Sequence, residues 1–355
     1  MRLFPLVRKE LIWSRQRTVL LAFLFLVLPV GLAYSTRAFG SVLPTDTAVA
    51  VAAQSSAVTA ADLDVARGAV TTFSDPRTYA TTETALRALS REQVYAVVSV
   101  PPGLADGEQP STVVVYVHGS IVPYLQPSKI IVNVMDYLLG TAVDSSVRVE
   151  RTVVGVERDL SAYLVPTFLQ VFVMLFALAY LPYNLAAEAP VFDRLRVESS
   201  IEAVVGVKLA YFAVLLVLPI AIFQAAAAFF GYGLTTFSAG SLAVYVLTFL
   251  YLGAVATAVT LLTRFGALGR MINVGLLLAL LVFSGIFYPA GFFSPLRRDV
   301  VRMLPTHYSA VMARSFVLRD ADPTAYVDWF AGLGALTLLC LGLLELSIRV
   351  YERRA

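Results

Sequence analysis

Few residues in the apolar parts of this 355-residue chain could do chemistry. Two histidines occur, His118 and His307, far apart in sequence and both expected in loops or at the surface, too distant for a metal site or a triad. The single cysteine, Cys340, lies in an apolar run and reads as a small helix residue; one cysteine allows no disulfide within the chain. The apolar runs hold no Asp, Glu, Lys, Arg or His before Glu345, which is expected at headgroup level beside Arg349. Ion-coupled carriers keep ionisable groups near the bilayer midplane, and an intramembrane protease needs a nucleophile and a base. Here only Gln170, Asn184, Gln224 and Asn273 offer polarity. No Gly-x-x-x-x-Gly-Lys-Ser/Thr occurs, so the chain has no P-loop of its own. One stretch could receive energy from elsewhere: Glu188–Lys208. In it Leu195, Val197, Ile201, Val204 and Val205 are placed to pack inward. Glu188, Asp193, Arg194, Arg196, Glu198, Glu202 and Lys208 are available to a partner. The competing reading of this stretch is a solvated connecting loop.

The elements that must position these residues follow from charge and hydropathy. Hydrophobic residues make up 58% of the chain and charged ones 14%, well below the roughly one quarter of soluble proteins. Thr18–Thr36, Tyr163–Ala187, Leu209–Thr263, Met271–Leu296 and Trp329–Leu344 contain no charge. The third block breaks at Gly231-Tyr-Gly, so six helices of about 20 residues are expected, each matched to a ~30 Å hydrocarbon core. The expected spans are 18–36, 163–187, 209–230, 241–263, 271–289 and 329–348. Residues 1–17 read as an amphipathic interfacial helix with Trp13 at the headgroups. The first span reads as an uncleaved anchor, because its apolar run is long for a signal peptide. Pro29, Pro182 and Pro219 are expected to kink their helices.

Arg and Lys collect before span one, in 188–208, between spans four and five, and in the 349–355 tail. Placing them inside puts both termini in the cytoplasm and residues 37–162 outside. Arg297, Arg298, Arg302, Arg314 and Arg319, in an outer 290–328 segment of short helices, run against that bias without reversing it. There Leu296, Val300, Val301 and Leu304 are expected on one helical side and Arg298 and Arg302 on the other. The net charge of +3 gives no reason to expect nucleic acid.

The 37–162 insert reads as a small α/β domain. Strands are predicted at Ala48–Ala53, Tyr95–Val100, Thr112–Val117 and Val147–Val154, and helices at Ala60–Ala69, Thr84–Leu89 and Ile130–Asp144. The expected fold is thus a polytopic α-helical membrane protein of six spans with an α/β extracytoplasmic domain.

This arrangement resembles the permease subunit of ABC-2 type ATP-binding cassette exporters, in the subfamily with a large domain between spans one and two. Glu83-Thr-Ala-Leu-Arg-Ala-Leu followed by Val94-Tyr-Ala-Val-Val-Ser-Val-Pro-Pro-Gly-Leu is similar to the family's helix, strand and Pro-Gly segment. Val113-Val-Val-Tyr-Val-His-Gly-Ser resembles its next strand. Phe283-Ser-Gly-Ile-Phe-Tyr-Pro and Leu304-Pro-Thr-His-Tyr match segments after span five. The inner stretch follows the family outline through Glu188, Asp193-Arg-Leu-Arg-Val-Glu-Ser-Ser-Ile-Glu and Gly206-Val-Lys; it lacks the usual Gly-Thr, and Ser199-Ser200 stands where proline is usual.

The resemblance implies two permeases, as a homo- or heterodimer, with two ATPase chains. ATP and magnesium would be held on the ATPase; this chain itself would be no enzyme and hold no cofactor or metal. The coupling segment 188–208 would act as a lever. A prokaryotic plasma membrane and export of a hydrophobic or amphipathic substrate, such as a lipid or drug, are expected. The alternative is a non-transport membrane protein whose outer domain binds a ligand or assembles a surface complex.

Overall fold

The computed structural model describes residues 47–107, 110–143, 147–190 and 200–354. The expected interfacial helix 1–17 and first span 18–36 lie outside the described residues, as do Pro29, Asp193, Arg194, Arg196 and Glu198.

The α/β domain runs β1 (Thr47–Ala53), α1 (Ala60–Thr71), β2 (Ser74–Tyr79), α2 (Thr82–Ser90), β3 (Ala96–Val100), β4 (Ser111–His118), α3 (Val122–Ala142) and β5 (Val147–Val154). The sheet order is β2-β1-β3-β4-β5. β1 pairs in parallel with β2 and β3, β3 is antiparallel to β4, and β4 is parallel to β5. The β-branched runs of β1 and β3 are almost wholly buried, as continuous apolar strands inside a sheet must be. They share a core with Ala66 and Val70 of α1, Leu89 of α2, and Ile131, Met135 and Leu139 of α3. β2, absent from the sequence reading, is a polar edge strand, Ser-Asp-Pro-Arg-Thr-Tyr. Proline is tolerated at an edge, where its missing N–H breaks no inner ladder.

The Pro-Pro-Gly-Leu segment after β3 has a physical role. Gly103 adopts φ +75°, and the buried Asp62 carboxylate accepts from Gly103 N at 3.3 Å and Ala105 N at 2.8 Å. Asp62 also closes a capping box with Thr59 at the start of α1.

Four described helices are long and apolar enough to cross a bilayer. Three are α4 (Leu160–Ala187), α5 (Ile201–Phe229) and α6 (Ala239–Leu262). The fourth, Pro323–Arg353, begins as a 3-10 turn and continues as α10 (Val327–Arg354). A fifth apolar helix, α7 (Ala267–Phe283), has 17 residues and spans about 25 Å at 1.5 Å per residue. Two short helices follow it, α8 (Pro295–Met303) and α9 (Pro305–Leu318).

In α4 the turn Phe176–Tyr180 widens to a π-helix immediately before Pro182, whose ring would otherwise strike the carbonyl four residues back. α5 bends at Leu216, ahead of Pro219, where Ile220 N to Leu216 O stretches to 3.5 Å. α6 is the centre of the bundle, with residues from Val244 to Leu261 in the largest core cluster. At the far end of α10, Glu345 pairs with Arg349 at 2.9 Å on the surface.

α8 departs from expectation. Val301 is buried together with Arg297 and Arg298, while Leu296, Val300 and Met303 are exposed. Arg297 faces inward because its Nη2 donates to Val282 O at 2.8 Å, at the open carbonyl end of α7, and its guanidinium lies 4.1 Å from the Phe293 ring.

Candidate functional site

Two clusters of polar side chains join separate parts of the fold. The first closes the base of the 188–208 segment. Lys208 Nζ donates to Glu188 Oε1 at 2.6 Å and to Asn184 Oδ1 at 2.5 Å. The Lys208 side chain is 11% exposed and that of Glu188 38%, so the pair is partly shielded from solvent. The staple ties the end of α4 to an early turn of α5.

α5 starts earlier than the expected span boundary at 209. Ser200 Oγ accepts from Ala203 N at 3.2 Å and caps the helix at Ile201. Ile201 and Val205 are buried as anticipated, and Val204 packs against the same core. Glu202 sits in the first turn with no ion pair among the described residues. Of the seven charged residues singled out from sequence, Glu188 and Lys208 are therefore brought together and Glu202 stands apart. Asp193, Arg194, Arg196 and Glu198 fall outside the described residues.

The second cluster was not foreseen. It joins the α/β domain to the helices after α7. Glu92 follows α2 at φ 54°, a left-handed position that usually takes glycine. Glu92 N donates to Leu89 O at 3.1 Å and Gln93 N to Ala88 O at 3.0 Å, a Schellman-type stop. This turns the Glu92 carboxylate toward α9. Arg314 donates to it through Nε at 3.1 Å and Nη2 at 2.7 Å, a two-pronged pair, and Arg319 through Nη2 at 2.7 Å. All three side chains are at most 3% exposed. Burial alone would push the Glu92 carboxyl upward; Arg314 and Arg319 overcome it and hold it near 2.

The cluster extends in both directions. Arg314 Nη1 donates to Ile286 O at 3.2 Å, in the turn that ends α7. Arg319 donates to Ser120 Oγ at 2.6 Å and to the Ser90 carbonyl. Tyr326 Oη, at the start of the last helix, donates to Ser90 O at 3.0 Å. Arg91 pairs with Asp328 at 2.5 Å with its guanidinium 4.5 Å from the Trp329 ring. Beside these, Gly291 N donates to Tyr95 Oη at 2.9 Å, and Phe292 sets its edge against Tyr95 and Tyr124. Arg158, leaving β5, donates to Tyr232 O at 3.3 Å and Leu318 O at 3.4 Å.

Both histidines are buried at this junction, which corrects their expected surface placement. The protein wraps them because the sheet end and the post-α7 turn converge there. His118 Nδ1 lies 3.0 Å from Ser120 Oγ, and the ring covers Gly155. Burial, then the Arg319 charge, lower its pKa to about 3. Burial, then Arg314, lower that of His307 to about 4. Both stay neutral at pH 7. No group of three or more metal-ligating side chains occurs among the described residues. The junction ties the α/β domain to the helices through buried ion pairs and hydrogen bonds, and its hydroxyl–imidazole contact, Ser120 with His118, is buried beside Arg319.

Comparison with curated proteins and with solved structures finds no match. A family model described as "ABC-2 family transporter protein" matches residues 15–347, nearly the whole chain. That span takes in the α/β domain, the described helices as far as residue 347 of α10, and the 188–208 segment. The chain therefore belongs to the ABC-2 transporter family, as a multi-pass membrane permease of the ABC-2 type.

Proposed function

We propose that this chain is the membrane-spanning subunit of an ATP-driven exporter whose ATPase is a separate protein. The family match over residues 15–347 carries this reading, since the sequence has no P-loop to supply its own nucleotide hydrolysis. Six crossings are assigned: the 18–36 run, α4, α5, α6, α7 and α10. The distribution of Arg and Lys favours cytoplasmic termini and an extracytoplasmic α/β domain in a prokaryotic plasma membrane. The chain would pair with a second permease and with ATPase subunits that hold ATP and magnesium.

The 188–208 segment is the coupling element. Its charges Asp193, Arg194, Arg196, Glu198 and Glu202 are the ones offered to the ATPase, and the Glu188–Lys208 staple would pass the push into α4 and α5. The apolar, aromatic-rich helices, including the Phe172–Phe176–Tyr180 stack, favour a hydrophobic or amphipathic substrate such as a lipid or drug. Affinity purification of the tagged chain from its native membrane tests the partner. A co-eluting P-loop ATPase is expected; a chain that elutes with no nucleotide-binding protein contradicts the proposal.

A further inference from the structure

Between the α/β domain and the start of α10 lies a cleft of about 440 Å³, walled in part by Arg77, Arg91, Arg302, Tyr308 and Trp329. A second hollow of about 260 Å³ adjoins it, lined by Met303, Leu333 and Leu336, again by Tyr308 and Trp329, and by Asp328, whose carboxylate is paired with Arg91. The Tyr308 and Trp329 rings meet edge to face with centroids 5.0 Å apart. They form the shared wall between a cationic compartment and an apolar one.

The cationic compartment is short of counter-charge. Arg302 makes no side-chain hydrogen bond or ion pair among the described residues. Arg91 has Asp328, but its buried Nε has no partner. Arg77 reaches Asp75 only at 3.6 Å. Glu92, the remaining acid on the cleft wall, is already outnumbered by Arg314 and Arg319. An anion is the complementary occupant.

The apolar compartment selects which anion. It follows α10 from Trp329 to Leu336, about 10 Å at 1.5 Å per residue, on a helix long and apolar enough to cross a bilayer. Tryptophan favours the headgroup level of a membrane. Beside it, α8 exposes Leu296, Val300 and Met303 on one side at helical spacing, as a helix resting on lipid does. A free phosphate would use the arginines and leave the groove empty.

We propose that this paired cleft and groove bind an anionic membrane lipid, with its headgroup on Arg302, Arg91 and Arg77 and the upper part of one acyl chain along Leu333 and Leu336. The site requires α10 to cross the bilayer. It does not require ATP-driven transport, so the two readings fail separately.

Trp329 reports on this site directly. The chain has two tryptophans, so Trp13→Phe leaves Trp329 as the sole tryptophan, excited selectively at roughly 295 nm or above, where tyrosine no longer absorbs. The purified full chain is reconstituted in phosphatidylcholine vesicles containing either phosphatidylglycerol or phosphatidylcholine with dibrominated acyl chains, which quench tryptophan on contact. At equal mole fraction, brominated phosphatidylglycerol is expected to show a relative affinity about fivefold higher. Arg302→Gln brings the two lipids to parity, and Arg302→Lys retains the preference. Glycerol phosphate added to the solution leaves the quenching unchanged. Equal quenching by both lipids in the parent protein overturns the proposal. A preference that survives Arg302→Gln, or quenching relieved by glycerol phosphate, overturns it as well.

Discussion

Glu92 adopts a backbone conformation in which glycine would be unstrained, and its carboxylate meets two buried arginines more than 200 positions away, Arg314 in α9 and Arg319 at its C-cap. Local strain of this kind, about 1–3 kcal/mol, persists where the surroundings demand the side chain. Glu92→Gly would relieve the backbone yet leave Arg314 and Arg319 buried without a counter-charge. Breaking a buried pair by removing one partner costs about 3–5 kcal/mol. The glycine variant is therefore expected to unfold at lower temperature than the parent in detergent; an unchanged or raised midpoint would show that the pair is not holding the junction. The same cluster sets a pH dependence. His118 and His307 titrate near 6.5 when unfolded and near 3 and 4 when folded, so the unfolded chain binds more protons as pH falls below 6.5. Stability should drop through that window. Glu92 adds a second loss as pH falls from 4.5 toward 2. Thermal midpoints measured from pH 7 to pH 3 should decline throughout, and a His118→Gln, His307→Gln double variant should flatten the part above pH 4.5.

At the scale of elements, the docking loop after α7 makes its own prediction. A Cβ on Gly291 would lie 2.3 Å from Tyr95 Cε2, inside the aromatic contact that seats Phe292. Gly291→Ala must displace either the ring or the loop, at a cost of about 1–3 kcal/mol. Protease nicking of the α/β domain's edges should accelerate in the alanine variant; equal digestion rates would mean that the loop yields without loosening the domain. The order of strands and helices in this domain was readable because β1, β3, β4 and β5 are apolar or β-branched runs bounded by turns. β2 escaped because Ser74–Tyr79 is polar and carries Pro76, features of a protected edge and equally of a loop. The expected packing face of α8 failed for a different reason. Periodicity assigned Arg298 to water, whereas the open end of α7 and the Phe293 ring supply partners that draw Arg297 and Val301 inward.

At the scale of the molecule, the apolar blocks made α4, α5, α6 and α10 legible, and the missing buried charges turned attention to an outside source of energy. What sequence could not reveal was the junction. A lone glutamate after α2, one arginine in α9 and another at its C-cap have no local pattern that announces a pair. The result is a domain that does not hang on one linker. Through Arg158, Tyr95, Glu92 and Arg91 it is tied to the α5–α6 turn, the loop after α7, α9 and α10. A push at the stapled ends of α4 and α5 would then reach the α/β domain through several contacts at once.

In the proposed mechanism a separate ATPase drives this permease through residues 188–208. ATP hydrolysis by the purified complex in proteoliposomes, compared with a variant carrying charge reversals at Arg194, Arg196 and Glu202, tests it most directly. Substantial hydrolysis is expected in the parent complex and at least about a tenfold loss in the variant, the equivalent of about 1.4 kcal/mol of lost coupling. Hydrolysis that persists unchanged after all three reversals, with the complex still assembled, would contradict the assignment of this segment as the lever.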